Sequence, residues 1–254
     1  MSKERIILMY HGIVNGQDPV PPGREVGADL YDVTESNFRD QLTMLREKNI
    51  KVKRIEEAGT VDVVITFDDG EANNCRTALP ILKEFGYPAY FFVITRRVGR
   101  PGYMTMDELK TMVANGMVIG SHGMSHEILT NLKDTQIEEE LAASRRYLER
   151  NLETEIRDFS IPRGFCNDKI LRMAYAAGYK NVFISDRPRD LSDEQCHARV
   201  AVKQNWDLAR FELAIKGEVP VKEAFMERTK NLTKLVLREG GYNWLRQVFI
   251  KIMK

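Results

Sequence analysis

Cysteine is scarce in this chain. Three occur in 254 residues, Cys75, Cys166 and Cys196, widely spaced and without a C-x-x-C pair. That spacing argues against a disulfide framework or a cysteine-built zinc site, and a reducing, cytoplasmic location is expected. No charge sign dominates: 38 Lys and Arg face 37 Asp and Glu, a formal net charge of +1. A nucleic-acid partner is therefore not expected, since phosphate binding needs clustered Lys and Arg. Long apolar runs are missing too, and nothing approaches the roughly 20 residues of a transmembrane helix. Ile6-Ile7-Leu8-Met9 is shorter than a signal-peptide core, and no small-residue cleavage site follows it. There is no G-x-S-x-G elbow, no phosphate-binding G-x-x-x-x-G-K-[ST] loop and no glycine-rich dinucleotide fingerprint. With 43% hydrophobic residues and almost no net charge, the chain is expected to fold.

What is present is an alternation of short apolar runs and helical patterns. The apolar runs expected to be strands are 6–10, 63–67, 89–94, 117–120, 158–160, 182–184 and 198–202. The helical patterns are 34–48, 74–85 with Pro80 as a kink, 105–115, 135–151 and 168–177. Thr105 with Glu108 and Thr135 with Glu138 both have capping-box spacing. Three further helical patterns follow at 208–215, 221–238 and 242–254. The polar, Pro- and Gly-containing stretch 15–27 reads as a long loop, a type often functional. Strand–helix alternation predicts a single α/β domain over 1–254 with a parallel sheet and C-terminal helices from about 205; about seven strands suit a closed barrel better than an open sheet, a choice that alternation alone does not decide.

In parallel barrels the chemistry sits just after the strands. His11 follows the first strand and Asp68-Asp69-Gly70 the second clear one. His122 and His126 follow the strand at Val118. Thus three of the four histidines and a carboxylate pair fall at strand ends. Adjacent carboxylates repel, so both ionise cheaply only near a cation or donors. If one binds a metal, the other is free to act as a base; the alternative is a turn followed by a helix cap. His122 and His126 are spaced i, i+4, which on a helix would put both rings on one face. Two His and one Asp make three protein ligands, the pattern of a catalytic metal site with room for water. His11 alone is equally well a buried structural histidine. His197, in a polar stretch, is expected on the surface.

These residues resemble a known family. Thr66-Phe67-Asp68-Asp69-Gly70 resembles the first motif of the polysaccharide deacetylases (carbohydrate esterase family 4). Ser121-His122-Gly123-Met124-Ser125-His126 resembles the second, H-[ST]-x-x-H, departing from it at Gly123. The resemblance implies a distorted (β/α) barrel and a metal-dependent hydrolase that removes N-acetyl groups from an amino-sugar glycan. It implies Asp69, His122 and His126 as metal ligands, Asp68 as general base, and zinc as the metal, with cobalt, manganese or nickel as alternatives. The third motif, R-x-P-x-G, corresponds to Ser160-Ile161-Pro162-Arg163-Gly164. Pro162, Arg163 and Gly164 are expected to contact substrate or oxyanion. The arginine that orients the base is replaced by Ser160, and Arg163 is the expected substitute. The late Leu-x-His motif is missing, and Met9-Tyr10-His11-Gly12 looks like a rearranged version, which makes His11 the general acid.

Two other readings follow from the same residues. Loss of the third-motif arginine suggests a carbohydrate-binding barrel with a residual metal site and no turnover. The pattern Trp244, Leu245, Val248, Phe249, Ile252 and Met253 with Arg246, Lys251 and Lys254 suggests peripheral membrane contact, although packing on the barrel is the favoured explanation.

Overall fold

The apolar runs become strands because β-branched and aromatic residues suit a sheet buried on both faces. The structure is a computed structural model describing residues 5–18, 20–185 and 193–218. Its strands are β1 (Ile6–Tyr10), β2 (Ile13–Val14), β3 (Val33–Thr34), β4 (Val63–Phe67), β5 (Tyr90–Val93), β6 (Val118–Ser121), β7 (Asp158–Ser160), β8 (Asn181–Ile184), β9 (Cys196–Ala198) and β10 (Val200–Ala201). Six α-helices lie among them: α1 (Glu35–Glu47), α2 (Leu79–Phe85), α3 (Met106–Ala114), α4 (Asp134–Leu152), α5 (Asp168–Ala176) and α6 (Leu208–Ile215).

The main sheet runs β10-β1-β4-β5-β6-β7-β8-β9, all parallel. Its two end strands are consecutive in the chain and are separated only by Arg199. β9 pairs with β8, and β10 pairs with β1. The expected strand 198–202 is thus a bent strand spanning Cys196–Ala201 that changes partner at Arg199. Arg199 N–H donates to Ile184 O at 2.9 Å, and Val202 N–H donates to Met9 O at 2.9 Å. Through this strand the sheet closes into a barrel of seven staves, the arrangement that the strand number favoured and the family resemblance implied.

Strand alternation sorts the side chains. Ile7, Val64, Tyr90, Phe92 and Phe183 pack together inside the barrel. Their neighbours, such as Leu8, Ile65 and Phe91, pack outward under the helices. Following the inward parity along each strand leads to His11, Asp68, His122, Ser160 and Arg199, which gather at the C-terminal mouth. Gly120 has this parity as well. A Cβ there would lie 2.5 Å from the Phe92 ring, so glycine makes room for that ring.

The helix signals were mostly legible. Thr34 caps α1, accepting from Asn37 N–H at 3.3 Å. Thr105 and Glu108 form the full capping box of α3. The second predicted box is displaced: α4 begins at Asp134, and Gln136 rather than Glu138 reaches back, accepting from Lys133 N–H at 3.1 Å. Thr135 lies inside the helix, where its hydroxyl cannot cap. Before Pro80, residues Asn74–Ala78 form a π-helical turn, which absorbs the disruption expected from the ring. Of the predicted C-terminal helices, 208–215 is α6, while 221–238 and 242–254 lie outside the described residues. Among the described residues no helix is long and apolar enough to cross a membrane.

Candidate active site

β4 ends at Phe67, and Asp68 and Asp69 follow with different surroundings. Asp68 is buried and ion-paired with Arg199, whose side chain is 1% exposed. Arg199 Nη1 donates to Oδ1 at 2.8 Å and Nη2 donates to Oδ2 at 2.7 Å, a two-point grip. Nη2 also donates to Ser160 Oγ at 2.8 Å, and Ser160 Oγ donates to Asp68 Oδ2 at 3.2 Å. The Arg199 guanidinium lies over Phe92 and Phe183, which hold it from below. Burial works against the Asp68 charge, but Arg199, together with His122 and His11, outweighs it and holds the carboxyl well below the usual carboxylate range. The expectation that Arg163 replaces the missing arginine is therefore corrected. Arg163 Nη2 pairs instead with Glu25 at 2.8 Å. Arg199 takes that place from the bent strand between β8 and β1, and it lies in none of the sequence motifs.

Asp69 turns the other way. Its φ is 71°, a left-handed conformation that few residues other than glycine adopt. Burial works against the charge of Asp69 too, yet the neighbouring His126, His11 and His122 together keep its carboxyl below the ordinary value. Asp69 Oδ1 lies 3.6 Å from His122 Nε2 and 3.5 Å from His126 Nε2. Such spacings match ligand atoms that each sit about 2.0–2.2 Å from one tetrahedral cation. Asp69, His122 and His126 are the set among the described residues with metal-ligand geometry.

Second hydrogen bonds orient both rings. His122 Nδ1–H donates to Ser160 O at 2.8 Å. His126 Nδ1–H donates to Glu25 Oε1 at 2.7 Å. Each Nε2 is thereby left with its lone pair toward Asp69. Burial pulls the His122 imidazole down to about 4, so the ring is neutral at pH 7 and available as a ligand. Asp69 Oδ1 is buried and has no hydrogen-bond partner, which an ion there would satisfy. The donor set and the orphaned oxygen both fit a divalent cation.

The histidine pair is not on a helix, contrary to the spacing argument. β6 ends at Ser121, and 122–126 is a loop in which His126 has φ 67°. Glu140 of α4 holds this loop. Its Oε2 accepts from Met124 N–H at 2.7 Å and Ser125 N–H at 3.0 Å. Gly123 adopts φ 75°, which accounts for glycine at the position where the motif departs from the family pattern.

The remaining expected residues fall around this centre. His11 packs against Tyr31 with the rings tilted and their centroids 4.9 Å apart, and its Nδ1 is buried without a hydrogen-bond partner. Asn74 Nδ2 donates to His11 O at 2.8 Å and fixes its backbone. Pro162–Gly164 form a tight turn after β7, with Arg163 at φ 58°. Gly164 has φ 71° and a Cβ there would lie 2.1 Å from Ser185 Oγ, so a side chain at this position would be strained. A cavity beside His126 is lined by Glu25, Arg97, Ser125, Glu127, Ile128 and Arg163. His197 is not a surface residue: it lies in β9, half-buried, with its ring against Phe183 and its Nε2 3.3 Å from Asn181 Oδ1.

Comparison with known proteins agrees with this geometry. The polysaccharide deacetylase family model matches residues 56–182, half of the chain, and the chain belongs to that family. It is similar to the peptidoglycan-N-acetylglucosamine deacetylase of Bacillus cereus, 32% identical over 131 residues, 50% of this chain and 59% of that one. It is similar to the poly-β-1,6-N-acetyl-D-glucosamine N-deacetylase of Staphylococcus aureus, 29% identical over 177 residues, 60% of this chain and 61% of that one. The chain spans about six-tenths of the length of the curated relatives it matches. The Streptococcus pyogenes deacetylase PplD, solved with acetate, shares the fold with a TM-score of 0.72 at 23% identity, covering 85% of this chain and 99% of that one. His11 and Arg199 both lie outside the span that the family model matches.

Proposed function

We propose that this chain is a metal-dependent N-deacetylase acting on a glycan that contains N-acetylglucosamine. The observation that carries this reading is the division of labour between Asp68 and Asp69: one is gripped by Arg199, and the other turns an unpartnered oxygen to two histidine Nε2 atoms. The named activities of the relatives support the substrate class. Asp69, His122 and His126 would hold the cation, zinc by preference for this donor set, with cobalt, manganese or nickel as alternatives.

A divalent metal bound there supplies Lewis acidity to water and to the acetamide carbonyl. Asp68, kept ionised by Arg199, accepts the proton of the attacking water on a carboxylate oxygen. Ser160 and Arg199 hold that carboxylate in one orientation throughout. The turn at Pro162, Arg163 and Gly164 positions the acetyl group beside His126 and offers the Arg163 backbone N–H to the oxygen that gains charge. His11 gives a proton to the departing nitrogen as the C–N bond breaks, leaving acetate and a free amine. The serine at position 160, which suggested a binding barrel without turnover, does not leave Asp68 unpaired, because Arg199 supplies the guanidinium.

The test is acetate release from N-acetylglucosamine oligomers by chelator-treated protein with and without added zinc or cobalt. Asp69→Asn and His122→Ala are expected to lose metal content and acetate release together. Acetate release by metal-free His122→Ala would sink the reading. Saccharide binding without acetate release, across a broad panel of acetylated sugars, would favour the binding barrel.

A further inference from the structure

Glu25 belongs to none of the recognised motifs and lies 101 positions from His126 in the chain. It sits on the 15–27 loop, which sequence reading marked as long and polar without assigning it a role. Its Oε1 accepts from His126 Nδ1–H at 2.7 Å and lies 2.8 Å from Arg163 Nη2. One carboxylate oxygen thus joins a candidate metal ligand to the third-motif turn.

The preceding residue fixes where Glu25 stands. Arg24 forks onto Asp32, donating from Nη1 at 2.8 Å and from Nη2 at 2.6 Å. Its Nε lies 3.0 Å from Glu71 Oε1, and Glu71 is two residues beyond Asp69. Asn73 Nδ2 donates to Glu71 Oε2 at 2.9 Å. The loop is therefore tied at adjacent residues to both strand ends that carry the ligands: Arg24 to the Asp69 side, Glu25 to the His126 side.

A carboxylate on the far nitrogen of a ligating imidazole fixes the tautomer, orients the ring and raises the donor strength of the other nitrogen. His122 receives only a neutral carbonyl at its Nδ1, Ser160 O. The two histidines are thus unequal, and the one backed by an anion is the one reached from the 15–27 loop.

We propose that Glu25 is a positioning residue for the metal centre, holding His126 in the Nδ1–H tautomer with Nε2 toward Asp69, and that residues 20–27 are thereby a wall of that centre. The proposal rests on the reading of Asp69, His122 and His126 as metal ligands.

The experiment is cobalt binding by the full-length chain, stripped of metal and titrated against a chromophoric chelator, with the visible absorption of bound cobalt recorded. Glu25→Ala is expected to weaken binding by roughly 10- to 100-fold and to alter the absorption band. Glu25→Gln keeps an oxygen that can accept from Nδ1–H but loses the charge, so its affinity is expected to fall between. Melting of the metal-free proteins separates these effects from misfolding, and if Glu25→Ala does not fold, Glu25→Gln alone decides. Wild-type cobalt affinity in the folded variants would overturn the proposal and leave the metal reading intact. A wild-type chain that takes up no cobalt would overturn both.

Discussion

Asp68 and Asp69 are adjacent, yet Asp68 accepts three side-chain hydrogen bonds while Asp69 Oδ1 accepts none. Removing one member of a buried pair strands the other. Arg199→Met is therefore expected to destabilise the fold by about 3–5 kcal/mol in urea unfolding, with much of the loss recovered in the Arg199→Met, Asp68→Asn double variant. Arg199→Lys should not rescue function, because an ammonium cannot make the two-point grip. Glu71 has the opposite environment. Burial raises its carboxyl to about 7, despite the counteracting Arg24. A carboxyl raised on folding contributes stability below its unfolded pKa, near 4.3, which is lost as pH rises to the folded value. The melting temperature of Glu71→Gln relative to wild type should accordingly rise between about pH 4.5 and 7 and stay level above that. A flat difference across that window would contradict the assignment.

Among the elements, helix starts separate what was legible from what was not. Thr105 and Thr135 carry the same sequence signature, and only Thr105 caps a helix. Thr105→Ala is expected to cost about 1 kcal/mol of unfolding free energy. Thr135→Ala should stay within about 0.5 kcal/mol, as surface changes do. Chemical denaturation of the two variants checks this directly. The i, i+4 histidine spacing misled in a similar way. It found the right pair, but Glu140 and the left-handed residues Gly123 and His126, not a helical turn, bring the rings together.

For the whole molecule, closing the barrel and building the site are one event. The bent strand that joins β8 to β1 changes partner at Arg199, the residue that grips Asp68. A ligand that binds only the closed, folded form stabilises it by mass action. Zinc or cobalt at about 100 times its dissociation constant should add about 2.7 kcal/mol. For a domain of this size that is a rise of roughly 5–10 °C in melting temperature. Asp69→Asn should abolish the rise; an equal rise in that variant would show that the metal binds elsewhere.

The sequence by itself determined the strand–helix alternation, the capping box at Thr105 and the residues at strand ends, because these depend on neighbours a few positions apart. Asp68, Asp69, His122, His126 and His11 were legible because chemistry-bearing residues directly after apolar runs stand out. Arg199, Glu25 and Glu140 were not, since each looks like an ordinary charge on a loop, strand or helix. Only the tertiary structure decided their roles. Closure of the barrel carries Arg199 to Asp68 across 131 positions, and the 15–27 loop carries Glu25 to His126 across 101. Burial then makes those contacts matter, because a charge removed from water must find its partner wherever the fold supplies one.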